Sequence, residues 1–354
     1  MTFLSVRTLL YTLFSVIFIY FFVFCDNQEN QNDFSENLNN SELVNIQTQD
    51  KSETQDESET QDESETQDES ETQDKSETQD ELINSYPFEL IDSSGETIKF
   101  TESPNRIVAF DSAALETIFE LGEGEKIVGT HDFVAYPPEA EKITRVGGAF
   151  NMNIEAIIGL NPDLVFIFSD QNLNDLRNAG LKVLYIESLN NDFTKISDEI
   201  KMWGRILDAE LKAEDIIFDF ENRLKNIEKA VENINIKQSI FQDVGGLWTP
   251  GPNTLVGEVF DLLNSNNIAY DVDGYVQISR EIIVDRNPDI IITLDIESIT
   301  KDPAFNDINA VSNNRVYSLS SDALSIGGPR FIEGIEELAQ LIYSENIDSF
   351  LTTK

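Results

Sequence analysis

The chain has 354 residues with 66 acidic and 24 basic side chains, which gives a net charge of −42. Such acidity makes nucleic acid and anionic membrane faces unfavourable partners. Cys25 is the only cysteine and His131 the only histidine, so an internal disulfide, a cysteine-based zinc site and a three-histidine metal site are all excluded.

Residues 1–25 are predicted to be a signal or membrane-anchor segment. They contain one charge, Arg7, followed by an unbroken apolar run from Leu9 to Phe24. A single cysteine at the end of such a segment is typical of the lipid-modified site of exported lipoproteins, although Phe24 stands where that signal normally has a small residue. Lipidation at Cys25 and a retained helix both stay open. Either one predicts an extracytoplasmic domain tethered to the membrane at the cell surface.

Residues 26–85 are predicted to be a disordered acidic linker. From Ser52 to Glu81 the chain repeats Ser-Glu-Thr-Gln-Asp-Glu with a period of six, and this composition cannot form a core. The segment holds 20 acidic residues against Lys51 and Lys75, so its like charges repel and extend it. A solvated stalk is expected, and a cation-binding or adhesive repeat is the alternative.

The folded sequence is expected to begin near Tyr86 with a hairpin, after which strands alternate with short helices. This alternation predicts an α/β fold with central, mostly parallel sheets that are covered on both faces. In chain order, the predicted elements are the hairpin Phe88–Asp92 and Thr97–Phe100, strand Arg106–Phe110, helix Ser112–Leu121, strand Lys126–Gly129, helix Asn153–Gly159, strand Leu164–Phe168, helix Leu173–Ala179, strand Lys182–Ile186, helices Phe193–Leu207 and Ala209–Ile234, strand Ser239–Val244, helices Thr254–Asn264 and Ser279–Asp285, strands Ile290–Thr293 and Arg315–Ser318, and helix Phe331–Tyr343.

The longest predicted helix, Ala209–Ile234, has apolar residues at three- and four-residue intervals and is therefore amphipathic. We predict that this backbone helix joins two similar lobes and leaves a ligand cleft between them. The predicted boundaries are 86–190 for the N-terminal lobe, 191–235 for the linking helices and 236–354 for the C-terminal lobe.

One sequence motif occurs twice, once in each predicted lobe. Glu155 and Glu281 lie 126 residues apart, as do Pro162 and Pro288. In both copies a glutamate opens a short helix, Asn-Pro-Asp ends it, and a buried parallel strand follows. A carboxylate at equivalent places on two lobes suits a two-fold symmetric partner, whereas the plainer interpretation is an acid favoured by the helix dipole.

Loops at the carboxyl ends of parallel strands are expected to bind the ligand, because those ends meet at one edge of a sheet. Their aromatic residues are predicted to line a broad apolar cleft with a few polar points, although ordinary core packing is the alternative for any single ring. A solvated loop side chain is the favoured interpretation of the histidine, and the alternatives are a hydrogen bond to the ligand or coordination of a metal inside a chelate. The predicted ligand-binding residues are Phe168, Trp248, Tyr275, His131, Asp132, Phe150, Asp322 and Arg330.

Five ordered motifs carry a family resemblance: Arg106-Ile-Val-Ala-Phe, Tyr136-Pro137-Pro138, Asn153-Ile-Glu155 through Pro162-Asp163-Leu-Val, Gln277-Ile-Ser279-Arg280-Glu281, and Gly328-Pro329-Arg330 with Glu333-Gly334. From about Pro104 to Tyr343 the chain resembles the class III periplasmic-binding proteins of ABC importers. Within that class it is most similar to the cobalamin-binding proteins and slightly less similar to those for ferric siderophores.

The resemblance implies two lobes with limited hinge motion and a chelate bound between them. It implies that Glu155 and Glu281 dock on arginines of the permease, and that Phe168, Trp248 and Tyr275 match aromatics that contact cobalamin. The chain departs from the cobalamin branch at Ala149, where that branch has tryptophan, and at Thr130/His131, where it has tyrosine.

The expected function is capture of a cobalt- or iron-containing chelate, with cobalamin favoured over a ferric siderophore, and its delivery to an ABC permease and its ATPase. The unbound protein is expected to be a monomer with no resident cofactor and no metal held by its own side chains. An enzyme is not expected, since the sequence has no Gly-x-Ser-x-Gly, P-loop or Gly-x-Gly-x-x-Gly motif. An enzyme using cleft carboxylates and a surface adhesion protein remain more distant alternatives.

Overall fold

The computed structural model describes residues 86–189, 192–232, 234 and 237–343. The predicted targeting segment 1–25, including Cys25, and the predicted linker 26–85 lie outside the described residues, apart from the boundary at Tyr86. Within the described ranges, no helix is long and apolar enough to cross a membrane.

The strands of the described residues are short and most of them are apolar. They are β1 Phe88–Ile91, β2 Thr97–Phe100, β3 Ile107–Ala109, β4 Ile127–Thr130, β5 Thr144–Arg145, β6 Leu164–Ile167, β7 Val183–Tyr185, β8 Ser239–Asp243, β9 Trp248–Pro250, β10 Asn266–Asn267, β11 Tyr275–Gln277, β12 Ile290–Thr293 and β13 Val316–Tyr317.

Two parallel sheets confirm the predicted α/β fold. The first has the order β5-β4-β3-β6-β7 and the second the order β10-β8-β12-β13, and every neighbouring pair in both is parallel. The central strands β3, β6 and β12 are buried along their whole length, as expected of strands with helices on both faces. The remaining strands form two antiparallel pairs, the predicted hairpin β1-β2 and an unpredicted ribbon, β9-β11.

Eight helices of the described residues follow the predicted order, with boundaries that match or differ by a few residues, whereas the short helices Ile296–Thr300 and Asn309–Ser312 were not predicted. In chain order, the helices are α1 Ser112–Glu120, α2 Ile154–Gly159, α3 Leu173–Asn178, α4 Ile196–Leu207, α5 Glu210–Val231, α6 Leu255–Leu262, α7 Arg280–Arg286, α8 Ile296–Thr300, α9 Asn309–Ser312 and α10 Phe331–Tyr343. Short 3-10 segments occur at Gly124–Lys126, Pro138–Lys142, Asp170–Asn172, Phe193–Lys195, Pro303–Phe305 and Ala323–Ser325.

The predicted backbone helix is α5, and it packs against α4 on its apolar side. Asp208, in the left-handed conformation with φ 60°, ends α4 and reverses the chain. The two helices approach so closely that a Cβ on Gly204 would lie 2.5 Å from the Cβ of Ala213. The buried side of α5 belongs to an apolar cluster that includes residues of both sheets, so the linking helices pack on both lobes.

The repeated motif, a glutamate followed by Asn-Pro-Asp, makes the same contacts in each lobe. Asn161 and Asn287 adopt the left-handed conformation, with φ 48° and 42°, just after α2 and α7. The carboxylate of Asp163 then accepts the backbone N–H of Arg106 at 2.9 Å, next to the start of β3. Asp289 accepts the backbone N–H of Ser239, at the start of β8, at 3.0 Å. Each aspartate therefore holds the segment that follows its helix against the first central strand of its own sheet.

Candidate ligand cleft and docking helices

Each sheet reverses its strand order at one place, and that place positions the predicted site. In the first sheet the reversal lies between β3 and β6, and in the second between β8 and β12. Ligands of open parallel sheets bind outside the carboxyl ends of the strands at such points. The loops concerned include Asp111 and Phe168 in the first lobe and the turn before Trp248 in the second.

His131, at the carboxyl end of β4, is buried and both of its ring nitrogens have partners. The residue is 5% exposed, its Nδ1 accepts from the Phe133 N–H at 3.2 Å, and its Nε2 lies 3.1 Å from Ser112 Oγ. Burial, with a smaller contribution from the charge of Arg145, lowers the pKa of His131 to about 4. The ring is therefore neutral at pH 7, and since Nδ1 accepts, Nε2 donates to Ser112. The expectation of a solvated loop side chain is wrong.

Phe150 and Phe168 meet edge to face in the first lobe. Their ring centroids are 5.2 Å apart at an interplanar angle of 85°, a geometry that aromatic pairs prefer. The Asn172 side-chain amide donates a 3.1 Å hydrogen bond to the Phe150 carbonyl and holds this loop against the next one. Both phenylalanines are half-buried, while Asp132 nearby in sequence is exposed and donates its N–H to the Gly147 carbonyl at 2.9 Å.

Trp248 and Tyr275 lie on paired strands and not in loops as predicted. In the antiparallel ribbon β9-β11, Tyr275 is opposite Pro250 and Gln277 is opposite Trp248. Directly opposed residues and residues two apart share a face, so Trp248 and Tyr275 are diagonal neighbours on one face of the ribbon. Both are half-buried. Burial raises the pKa of Tyr275 to about 12, although a hydrogen bond with the Thr254 side chain lowers it.

The turn that leads into this ribbon is held by a buried carboxylate. Asp243, at the end of β8, accepts the N–H groups of Gly245 at 2.9 Å and Leu247 at 2.8 Å, and its other oxygen accepts the Thr293 hydroxyl at 2.9 Å. Burial raises the pKa of Asp243, while these three hydrogen bonds lower it. The glycine-rich turn before Trp248 is therefore fixed by hydrogen bonds and orients the strand β9.

Asp322 and Arg330, predicted as polar points of the cleft, form an ion cluster across the two lobes. The Arg330 guanidinium donates to both carboxylate oxygens of Glu116 in α1, at 2.6 and 2.9 Å, and to Asp322 at 3.1 Å. The Tyr136 ring covers the guanidinium carbon at 3.6 Å. Burial raises the pKa of Glu116 to about 7, against the opposing effect of Arg330. The charges of Arg330 and Asp322 are thus already paired within the protein.

A cavity of about 440 Å³ lies beyond the end of β7, against α4. Burial, with a smaller contribution from the charge of Asp111, raises the pKa of its Glu199 to about 8. The cavity is lined by Ile186, Glu187, Ser188, Leu189, Asp192, Lys195, Asp198, Glu199 and Met202, so the predicted cleft aromatics do not line it. In the part of the chain that the structure describes, no group of three or more His, Cys, Asp or Glu is placed to hold a metal ion.

The two predicted docking glutamates occupy equivalent places on α2 and α7. Asn153 caps α2 by accepting the Ala156 N–H at 3.0 Å, and Ser279 caps α7 by accepting the Ile282 N–H at 3.4 Å. Glu155 and Glu281 are each two residues past the cap and exposed. A hydrogen bond from the Ser279 side chain lowers the pKa of Glu281. Among the described residues, neither glutamate takes part in an ion pair.

Comparison with known proteins identifies the family of this two-lobed fold. Residues 107–323, more than half of the chain, match the periplasmic binding protein family. The chain belongs to this family. Its relatives include an uncharacterized ABC transporter substrate-binding lipoprotein of Bacillus subtilis, 32% identical over 274 residues that cover 73% of this chain and 87% of the relative.

Two further proteins to which the chain is similar carry names that mention a ligand. A cobalamin-binding protein of Halobacterium salinarum is 26% identical over 281 residues, covering 74% of this chain and 76% of the relative. A solved structure of a possible iron-binding, periplasmic solute-binding protein from Staphylococcus epidermidis is 30% identical, covers 69% of this chain and all of that chain, and superposes with a TM-score of 0.59. The family consists of binding proteins and not of enzymes.

Sequence reasoning missed Glu116, the first-lobe partner of Arg330. The available signal was an acidic residue inside the apolar run of α1, where Ala114, Leu115 and Ile118 are all buried. A charged side chain in such a run needs a buried partner of opposite charge. That partner is 214 residues away in sequence, and only the folded chain identifies it.

Proposed function

We propose that this periplasmic binding protein is the extracytoplasmic subunit of an ABC importer and that it captures a metal chelate, with cobalamin or another corrinoid favoured. The observation that carries the proposal is one pair of half-buried aromatics on each lobe, Phe150 with Phe168 and Trp248 beside Tyr275. A bulky, flat ligand suits such surfaces because it offers each pair a ring face. The names of the Bacillus and Halobacterium relatives support this assignment.

The chelate would be held by ring contact and not by ligation to a protein side chain. Both ring nitrogens of His131 are already engaged, one by Phe133 and one by Ser112. The Arg330 guanidinium is already paired with both Asp322 and Glu116. Under this proposal the ligand brings its own cobalt or iron, and the protein needs no resident cofactor.

Delivery would proceed by docking of both lobes on the permease, with Glu155 and Glu281 facing its basic side chains. The variants Glu155→Arg and Glu281→Arg should each weaken transport, because like charges would then meet at the interface. Their affinity for the chelate in solution should stay nearly unchanged. A large fall in that affinity would place these glutamates in the cleft instead.

The N-terminal segment 1–25 would tether the protein outside the cytoplasmic membrane, either by a lipid on Cys25 or by a retained helix. The acidic segment 26–85 would then link this anchor to the binding domain, and repulsion between its like charges would favour an extended chain. The lipoprotein name of the Bacillus relative supports the lipid anchor.

A ferric siderophore is the second candidate ligand, and the iron-binding description of the Staphylococcus structure supports it. Native mass spectrometry of the full chain in detergent, with cyanocobalamin and a panel of ferric siderophores, separates the two candidates. A one-to-one complex with cyanocobalamin alone is expected. A complex with a ferric siderophore alone would move the assignment to iron, and no complex with any of them would overturn the chelate proposal.

A further inference from the structure

The repeated helices α2 and α7 match each other beyond the two glutamates. Ile157 and Ile283, which lie 126 residues apart, are fully buried and anchor the two helices in separate apolar clusters. Because equivalent residues of the two helices point into the protein, equivalent residues also face solvent on the two lobes. On that outward face, one helical turn after each glutamate, stand Ile158 and Val284, again 126 residues apart.

Ile158 and Val284 are large aliphatic side chains that face solvent, at 46% and 43% exposed. Single exposed apolar residues are common on protein surfaces and need no explanation. These two, however, occupy equivalent positions on two repeated helices, and each is three residues after an exposed glutamate. Residues three apart on a helix are neighbours on its surface, so each lobe presents a carboxylate beside an exposed aliphatic side chain.

We propose that Ile158 and Val284 form the apolar half of a two-point docking surface, whose partner is the pair of membrane subunits of the importer. This inference rests on the proposed function. Each point would receive a permease segment that offers a basic side chain next to an apolar one, and the two points would receive two copies of the same segment. A second copy of this chain is an unsuitable occupant, since acidic patches on a chain of net charge −42 repel one another.

Charge and apolar contact respond differently to salt, and this difference provides the test. Screening weakens attraction between exposed charges, whereas burial of aliphatic surface is not screened. The full chain in detergent, loaded with cyanocobalamin, would be measured for binding to the permease–ATPase complex of the same organism in nanodiscs, at 50 and 300 mM salt. The variants are Ile158→Ser and Val284→Ser, singly and together, with Ile91→Ser as the matched control at an exposed site on β1.

Each single variant is expected to weaken binding to the permease about fivefold, and the double variant about twenty-five-fold, by the same factor at both salt concentrations. Ile91→Ser should bind like the wild type, and no variant should change cyanocobalamin affinity. If the double variant binds like Ile91→Ser while Glu155→Gln and Glu281→Gln weaken docking, this inference fails and the proposed function stands. If neither the wild type nor any variant binds the permease, the proposed function fails and the inference with it.

Discussion

Arg330→Met should destabilise the protein by about 3–5 kcal/mol, the usual cost of removing one partner of a buried ion pair. The Arg330 and Glu116 side chains are 11% and 3% exposed, and two hydrogen bonds of 2.6 and 2.9 Å join them across the lobes. Methionine keeps much of the aliphatic volume but leaves the Glu116 carboxylate buried without a cation. Because burial already raises the pKa of Glu116 to about 7, removing the cation forces this carboxyl to take up a proton or to stay charged without a partner, and the loss comes from that carboxyl and not from a cavity.

Arg223 provides a control with the same chemistry at an exposed place. It joins α5 to α10 through two hydrogen bonds to Glu336, at 2.8 and 2.7 Å, but these side chains are 29% and 22% exposed. Arg223→Met should cost less than Arg330→Met, about 1 kcal/mol, because solvent screens this partly exposed pair. Urea unfolding of the full chain measures both variants.

The combined variant Glu116→Gln with Arg330→Met should recover most of the loss, since no charge then remains buried. A double-mutant cycle isolates this coupling between the two residues. The reasoning is refuted if Arg330→Met costs no more than Arg223→Met, or if Glu116→Gln fails to restore stability to the Arg330 variant.

Three further predictions concern the histidine, the cleft and the anchor. The pKa of His131 falls from 6.5 to about 4 on folding. The unfolded chain therefore takes up a proton that the folded protein lacks. The free energy of unfolding should fall by up to about 3 kcal/mol as the pH drops from 6.5 to 4. Unfolding curves of His131→Gln should lack this pH-dependent component. Trp248→Ala should lower cyanocobalamin affinity about thirtyfold, equivalent to about 2 kcal/mol, in calorimetric titrations, and an unchanged affinity would exclude ring contact at Trp248. Cys25→Ser should abolish a lipid mass shift of the full chain, whereas an unmodified wild-type protein would rule out lipidation.

Strands and helices with a strong local pattern were predictable from the sequence. The helix α10 and the strand β12 have the predicted boundaries, because each is a clear apolar pattern between turn residues. The apolar face of α5 also matches the prediction, since periodicity alone determines which side of an amphipathic helix is buried.

The ribbon β9-β11 was missed because its pairing is not local. Trp248 and Gln277 are opposed across an intervening helix and several turns. Three-residue strands are too short to show a period of two, so glycine-rich flanks dominate the local signal and favour a loop. For the same reason, the Asp243 carboxylate that holds the turn could not be identified as such from its neighbours in sequence.

The predicted site residues differ in how far sequence could define them. Phe150 and Phe168 lie in separate predicted loops, and strand order at one sheet edge brings them together. Arg330 and Asp322 were predicted as polar points of the cleft, and the structure shows that Arg330 pairs within the protein with both Asp322 and Glu116. Such long-range pairing depends on how two lobes meet, which no local pattern records.

The most direct test of chelate capture in the cleft is tryptophan fluorescence of the full chain during titration with cyanocobalamin. The chain has two tryptophans, and Trp203 is buried in the core while Trp248 lies on the cleft ribbon. Saturable one-to-one quenching is expected, and Trp248→Phe should keep binding by calorimetry but lose most of the quenching. Absence of saturable quenching with cyanocobalamin and with every ferric siderophore tried, or quenching unaltered in Trp248→Phe, would contradict chelate binding between these aromatic pairs.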